Sequence, residues 1–206
     1  GAGGEGARWM GRGSRGWGKG GGASPGRGRP RGRGGRALNV RYGTGRGRIG
    51  ENDQITFEMG DAWRHYHATD MFTVLTGPKV DDRHLRMFDA AAAALGAVQD
   101  ALRPGRTLGE IFEVHQKTLD QHSYGHAALK ACGYTLGATF PPTWMEMPMI
   151  YRGNPLPLEV NMVFFTHMIL SDFDTGPTMS LGETALVTAG APEVITHGPR
   201  GPIVRN

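Results

Sequence analysis

The sequence predicts an α+β domain, a mostly antiparallel sheet carrying helices on one face. Three observations predict it. A pair of β-prone runs opens at Gln54, two amphipathic helical patterns follow, and the rest is a series of strand-like pieces punctuated by Pro and Gly.

The first pair is QITFEMG, beginning at Gln54, and WRHYHATDMFTVLTG, beginning at Trp63. Both are rich in β-branched and aromatic residues, and Gly60-Asp61 is the expected turn of a hairpin. Gly77-Pro78 then breaks the second strand. Asp81-Asp82 supply acids for the start of a helix running to about Leu102, with Leu85, Phe88, Leu95 and Val98 at helical spacing and Ala91 to Ala94 suited to close packing on a sheet. Pro104-Gly105 ends that helix. Thr107 and Glu110 have the spacing of a capping box, which predicts a second amphipathic helix from about Leu108 to His122. GYTLGATF, NMVFFTHMILSD, MSLGETALVT and PEVITH read as strands, with PPTWMEMPMI as a loop after the first. Met145, Met147 and Met149, two apart, are simplest as strand-packing residues.

Charge divides the 206 residues. Of 23 Lys and Arg, 12 fall in residues 1–50 against a single acid, Glu5, leaving 11 basic and 18 acidic residues beyond. Of 34 Gly, 16 precede Ala37 in a run with almost nothing aliphatic to bury, so residues 1–36 are expected to be a disordered or non-native tail. The expected organisation continues with a linker over 37–51, a domain over 52–200 and a short tail over 201–206. The tail's Arg/Gly repeats resemble RNA-binding segments but lack interleaved Phe or Tyr, so nucleic acid is a lesser alternative and no partner of that kind is expected. A wrong start site or reading frame in GC-rich DNA accounts for the tail as simply. The single cysteine, Cys132, excludes an intrachain disulfide. No run reaches the roughly 18 apolar residues of a membrane-spanning helix, no signal-peptide core is present, and a cytoplasmic location is expected.

The order of motifs carries more than composition. Glu58-Met59-Gly60, His65-Tyr66, Ala68-Thr69-Asp70 and Thr73 are followed by Gly133-Tyr134-Thr135-Leu136-Gly137, Met145-Glu146-Met147-Pro148, Met162-Val163-Phe164-Phe165-Thr166-His167 and Gly182-Glu183 before a valine-bearing strand. From about Asn52 to Thr196 this order resembles the pita-bread superfamily of Xaa-Pro dipeptidases, methionine aminopeptidases and creatinases. The resemblance implies an incomplete pita-bread fold, because a whole one has two similar halves and this chain begins inside the first. It also implies that the family's N-terminal substrate-binding domain is missing.

Metal-dependent members of the family hold two cations with Asp, Asp, His, Glu and Glu. In this chain the resemblance puts Glu58 at the first position, Thr69 at the second with Asp70 one residue late, Tyr134 at the third and His167 at the fourth. Glu183 either matches the fifth or lies one beyond it. Because side chains alternate along a strand, the offset of Asp70 aims it away from the site unless a bulge corrects it. No cofactor is the first expectation. The alternative is one divalent metal (Zn, Mn, Fe or Co) on Glu58, His167 and Glu183, with Asp70 a possible further ligand.

The substitutions look more like the metal-independent creatinase and ectoine-hydrolase branch, which implies hydrolysis of a peptide, amidine or urea-type C–N bond in a small molecule or short peptide. Glu58 or Glu183 then activates water or anchors a cation, His167 moves the proton and Tyr134 donates to the developing oxyanion. Trp144, Glu146 and Tyr66 are the expected substrate-binding groups, and a homodimer is a possible assembly. His65 and His67 read as rim groups. The enzyme reading expects Glu58, Glu146, His167 and Glu183 to converge in one pocket. The bland readings are a solvated strand Glu, a hydrogen-bonded core His and core aromatics, and an inactive peptidase-like binding module is the alternative at the level of the whole chain.

Overall fold

The computed structural model describes residues 24–27, 52–139, 143–199 and 201–205. Nine strands, two α-helices and a short 3-10 helix (Gly125–Ala127) occur among them: β1 (Ser24–Arg27), β2 (Asp53–Trp63), β3 (Tyr66–Thr76), α1 (Asp82–Ala101), α2 (Leu108–Gln121), β4 (Ala131–Leu136), β5 (Met145–Tyr151), β6 (Val163–Ser171), β7 (Thr178–Leu186), β8 (Glu193–Val194) and β9 (Ile203–Arg205). They form one sheet in the order β1-β2-β3-β7-β6-β4-β5, with β8 on β7 and β9 on β3. Every pairing is antiparallel except that of β9 with β3.

The first hairpin turns later than Gly60-Asp61. Gly60 stays in register opposite Thr69, and the reversal falls at Arg64 and His65, which carry φ of 49° and 76°. Positive φ at both central residues is what a two-residue hairpin turn needs to match strand twist. Gly60 serves the sheet differently: the Trp144 indole lies over it, 3.4 Å from where a Cβ would stand, an ordinary packing distance.

Helix α1 begins where the acids predict, with the Asp81 side chain accepting from the Arg83 backbone N–H. Thr107 and Glu110 form the full capping box of α2. Phe88, Ala90, Ala91, Ala94, Leu95 and Val98 of α1 are buried with Leu108, Ile111 and Phe112 of α2 against Phe164, Met168, Leu170, Leu181 and Ala185 of the sheet. This is the main core, and burial of each large side chain contributes about 1.5–3 kcal/mol. Leu85, expected on the same stripe, is exposed.

The other face of the sheet holds a smaller cluster of Met71, Tyr134, Leu136, Phe165 and Ile169, with Trp144, Met145 and Met149 packed against it. Part of the segment expected to be a loop is thus strand β5, which pairs with β4. Beyond the expected domain end, Ile203–Arg205 continues the sheet beside Val74–Thr76. Apart from the backbone of Ser24–Arg27, paired with Asp53–Thr56, the expected tail 1–36 and linker 37–51 lie outside the described residues. No described helix is long and apolar enough to cross a membrane.

Candidate active site

Directly opposed residues of an antiparallel pair share a face. Glu58 opposes Met71, Met71 opposes Gly182, and Gly182 opposes His167. These positions lie on the face of the small cluster, away from the helices. Tyr134 joins them from β4, opposite Phe165.

Three of the expected site residues are hydrogen-bonded in a chain. The Trp144 indole N–H donates to the Tyr134 hydroxyl at 3.0 Å, and that hydroxyl donates to Glu58 Oε1 at 3.3 Å. His167 lies beside them, its ring centroid 5.6 Å from that of Tyr134 and 5.7 Å from that of Phe165. Tyr134 is fully buried and His167 is 3% exposed, whereas Glu58 and Trp144 sit half-buried at the rim.

Glu183 is not among them. It alternates with Gly182 and points to the helix face, where the Gln99 side chain of α1 donates to its Oε2 at 2.9 Å. The residue facing His167 is therefore Gly182. The space above Gly182 is filled: a Cβ there would lie 2.5 Å from the Phe165 ring.

Asp70 behaves in the same way. No bulge is recorded between β2 and β3, so Asp70 alternates away from Met71 and Thr69 and lies within electrostatic reach of Glu183 on the helix face. Burial and the Glu183 carboxylate push its pKa up, against the Met71 N–H and His197, which pull it down. Gly198 closes on this carboxylate so tightly that a Cβ would fall 2.6 Å from Oδ1.

The fourfold convergence of Glu58, Glu146, His167 and Glu183 is thus corrected. Glu146 turns to Thr139, accepting from its N–H at 2.9 Å and its hydroxyl at 2.7 Å. The Thr139 hydroxyl, followed by the backbone N–H groups and His67, holds its carboxyl below the usual range. Tyr66 is also separate, 69% exposed near the hairpin tip and alternating onto the face opposite Glu58. His65 forms the turn itself, and His67 Nδ1 lies 3.2 Å from the Gly137 carbonyl.

Among the described residues, no group of three or more His, Cys, Asp or Glu side chains is placed to hold a metal ion. The face offers Glu58, Thr69, Tyr134, His167 and Gly182, with an aromatic ring over the last. That set does not fit a two-cation site, which needs about five oxygen or imidazole donors.

Alternation in β7 could have shown the placement of Glu183: Leu181, Glu183 and Ala185 share one parity, and Leu181 and Ala185 are core residues. Gln99, His197 and the ring of Phe165 carried no such signal, because each meets its partner across more than 15 residues of chain.

A sequence profile described as metallopeptidase family M24 matches residues 32–189. Among curated proteins, the chain is 26% identical over 154 residues to an ectoine hydrolase of Halomonas elongata, covering 73% of this chain and 37% of that protein. It is 27% identical over 128 residues to an Xaa-Pro dipeptidase of Lactobacillus delbrueckii, covering 62% and 33%. The chain therefore spans about a third of the length of these relatives. The crystal structure of dipeptidase PepE from Mycobacterium ulcerans superposes with a TM-score of 0.76 at 19% identity over 89% of this chain and 46% of that one, a likeness of fold.

Proposed function

The chain belongs to metallopeptidase family M24, and from that premise we propose that it is a hydrolase of a C–N bond in a small molecule or short peptide, working without metal through Glu58, Tyr134 and His167. The observation that carries this reading is the chain Trp144–Tyr134–Glu58, which holds a carboxylate, a phenol and an indole together at a half-open rim beside an imidazole.

The chemistry is general acid–base work. A water beside Glu58 gives up its proton to the carboxylate as its oxygen bonds to the substrate's carbonyl or amidine carbon. The electron pair displaced from that carbon is received by the heteroatom, to which the Tyr134 hydroxyl turns its single hydrogen once Glu58 has been protonated. His167, entering as the imidazolium, passes a proton to the leaving nitrogen as the C–N bond breaks, and the proton that Glu58 took from the water restores it. Trp144 supplies an aromatic face for the substrate. Glu183 and Asp70 take no part; they belong to the packing between sheet and helices.

The experiment is hydrolysis of Xaa-Pro dipeptides, creatine and ectoine by the purified chain, with and without chelator and beside metal analysis. Turnover that survives chelation and falls at least a hundredfold in Glu58→Gln supports the reading. Turnover that appears only with stoichiometric metal refutes it.

The second reading is an inactive peptidase-like binding module. The Phe165 ring above Gly182 favours it, because a filled site suits recognition more than chemistry. Ligand binding without turnover under any metal condition selects this reading.

A further inference from the structure

Thr69 stands opposite Gly60 on the face that carries Glu58 and Tyr134. Its residue is fully buried, yet its hydroxyl has no hydrogen-bond partner. Its backbone is fully engaged, the N–H donating to the Thr184 hydroxyl at 2.8 Å and the carbonyl accepting from that hydroxyl at 2.7 Å. A buried donor left unpaired costs about 1–3 kcal/mol, and a threonine hydroxyl can be replaced by the valine methyl without change of shape. A half-buried aromatic side chain lies over the neighbouring strand position. Trp144 lies over Gly60, the cross-strand partner of Thr69, and its indole N–H donates to the Tyr134 hydroxyl.

Resting on the reading that this face binds substrate, we propose that Thr69 is a second donor to the substrate's carbonyl oxygen, beside Tyr134, and that the substrate is an amide or urea rather than an amidine. Thr69 is the diagonal cross-strand neighbour of Glu58, and such positions are about 7–8 Å apart. That span leaves room for a carbonyl whose oxygen accepts from the Thr69 hydroxyl at about 2.8 Å while its carbon faces the water beside Glu58. An amide or urea offers an oxygen that satisfies the orphan O–H. A protonated amidine offers only N–H donors, so the Thr69 hydrogen stays unpaired. Displacement of Trp144 opens the place and leaves its indole as the stacking surface.

The probes are benzamide and its isostere benzamidine, titrated against the full chain by ligand-observed NMR and tryptophan fluorescence. Benzamide binding is expected to weaken about tenfold in Thr69→Val and to be retained in Thr69→Ser, as for loss of one buried hydrogen bond. Benzamidine is expected to bind the native chain more weakly than benzamide and to lose less in Thr69→Val, because its N–H groups can use the Thr69 oxygen but leave the hydroxyl hydrogen unpaired. The urea midpoint of Thr69→Val is expected to equal or exceed that of the native chain, because a structural hydroxyl would show the opposite. Failure of the native chain to bind benzamide, equal benzamide affinity in Thr69→Val, or a lowered midpoint with unchanged affinity overturns the proposal. These outcomes separate from the hydrolase reading: native turnover that persists in Thr69→Val sinks only the Thr69 role, whereas absent turnover with Thr69-dependent benzamide binding sinks only the hydrolase.

Discussion

The Tyr134 hydroxyl donates to Glu58 Oε1 at 3.3 Å although β3, β7 and β6 separate their strands in the sheet. Neighbouring strands lie about 4.8 Å apart, so a flat sheet would hold these residues about 19 Å apart. The sheet must curl around the small aromatic cluster for the contact to exist. The backbone bond from His67 N–H to the Gly137 carbonyl, at 2.9 Å, closes the same curl at its end.

Tyr134→Phe removes the donor to Glu58 and the acceptor for Trp144 while keeping the ring. A loss of about 1–2 kcal/mol in urea unfolding is expected, with a red-shifted tryptophan emission as the indole loosens. Under the proposed function turnover falls more than binding does, a kcat effect that purely structural damage would not single out.

Gly182→Ala puts a methyl into the buried ring of Phe165, 2.5 Å from Cζ, with the Thr166 carbonyl 3.1 Å away. Overpacking of this kind costs about 1–3 kcal/mol. Combining it with Phe165→Leu is expected to recover part of the loss, so a double-mutant cycle on unfolding free energy checks the contact.

Glu183→Gln keeps the shape of the group that Gln99 contacts in the interface of α1 and β7. Turnover is expected to be unchanged, whereas a catalytic Glu183 would lose it. The Asp70 pKa, followed by NMR, is expected to fall toward its ordinary value, because the Glu183 carboxylate is one of the two influences that raise it.

The raised Asp70 pKa has a defined sign in stability. A carboxyl group with a higher pKa folded than unfolded contributes stability that is complete below its ordinary pKa and is lost as pH rises through the folded value. The groups facing it are Glu183 and His197, with the Met71 N–H. Urea midpoints measured from pH 3 upward are expected to show a falling component in the mildly acidic range that is absent in Asp70→Asn. Asp81 works the other way: its hydrogen bonds to Arg83 lower its pKa to about 2, so its contribution disappears as pH falls toward that value.

The sequence by itself determined the two helices and most of the strands, but not β5, read as a loop, nor β9, read as a tail. Capping at Asp81 and Thr107, apolar spacing in α1 and α2, and β-branched runs are local signals, and local hydrogen bonds and side-chain stripes realise them without help from distant residues. The tertiary structure decided which groups meet. A strand's side chains change face at every residue, so whether Glu183 and Asp70 joined Glu58 or turned to the helices depended on a register of one. That register was set by β7 lodging Leu181 and Ala185 in the helix-side core. The curl of the sheet, which no local run encodes, then brought Tyr134 to Glu58 and left Gly182 under the ring of Phe165.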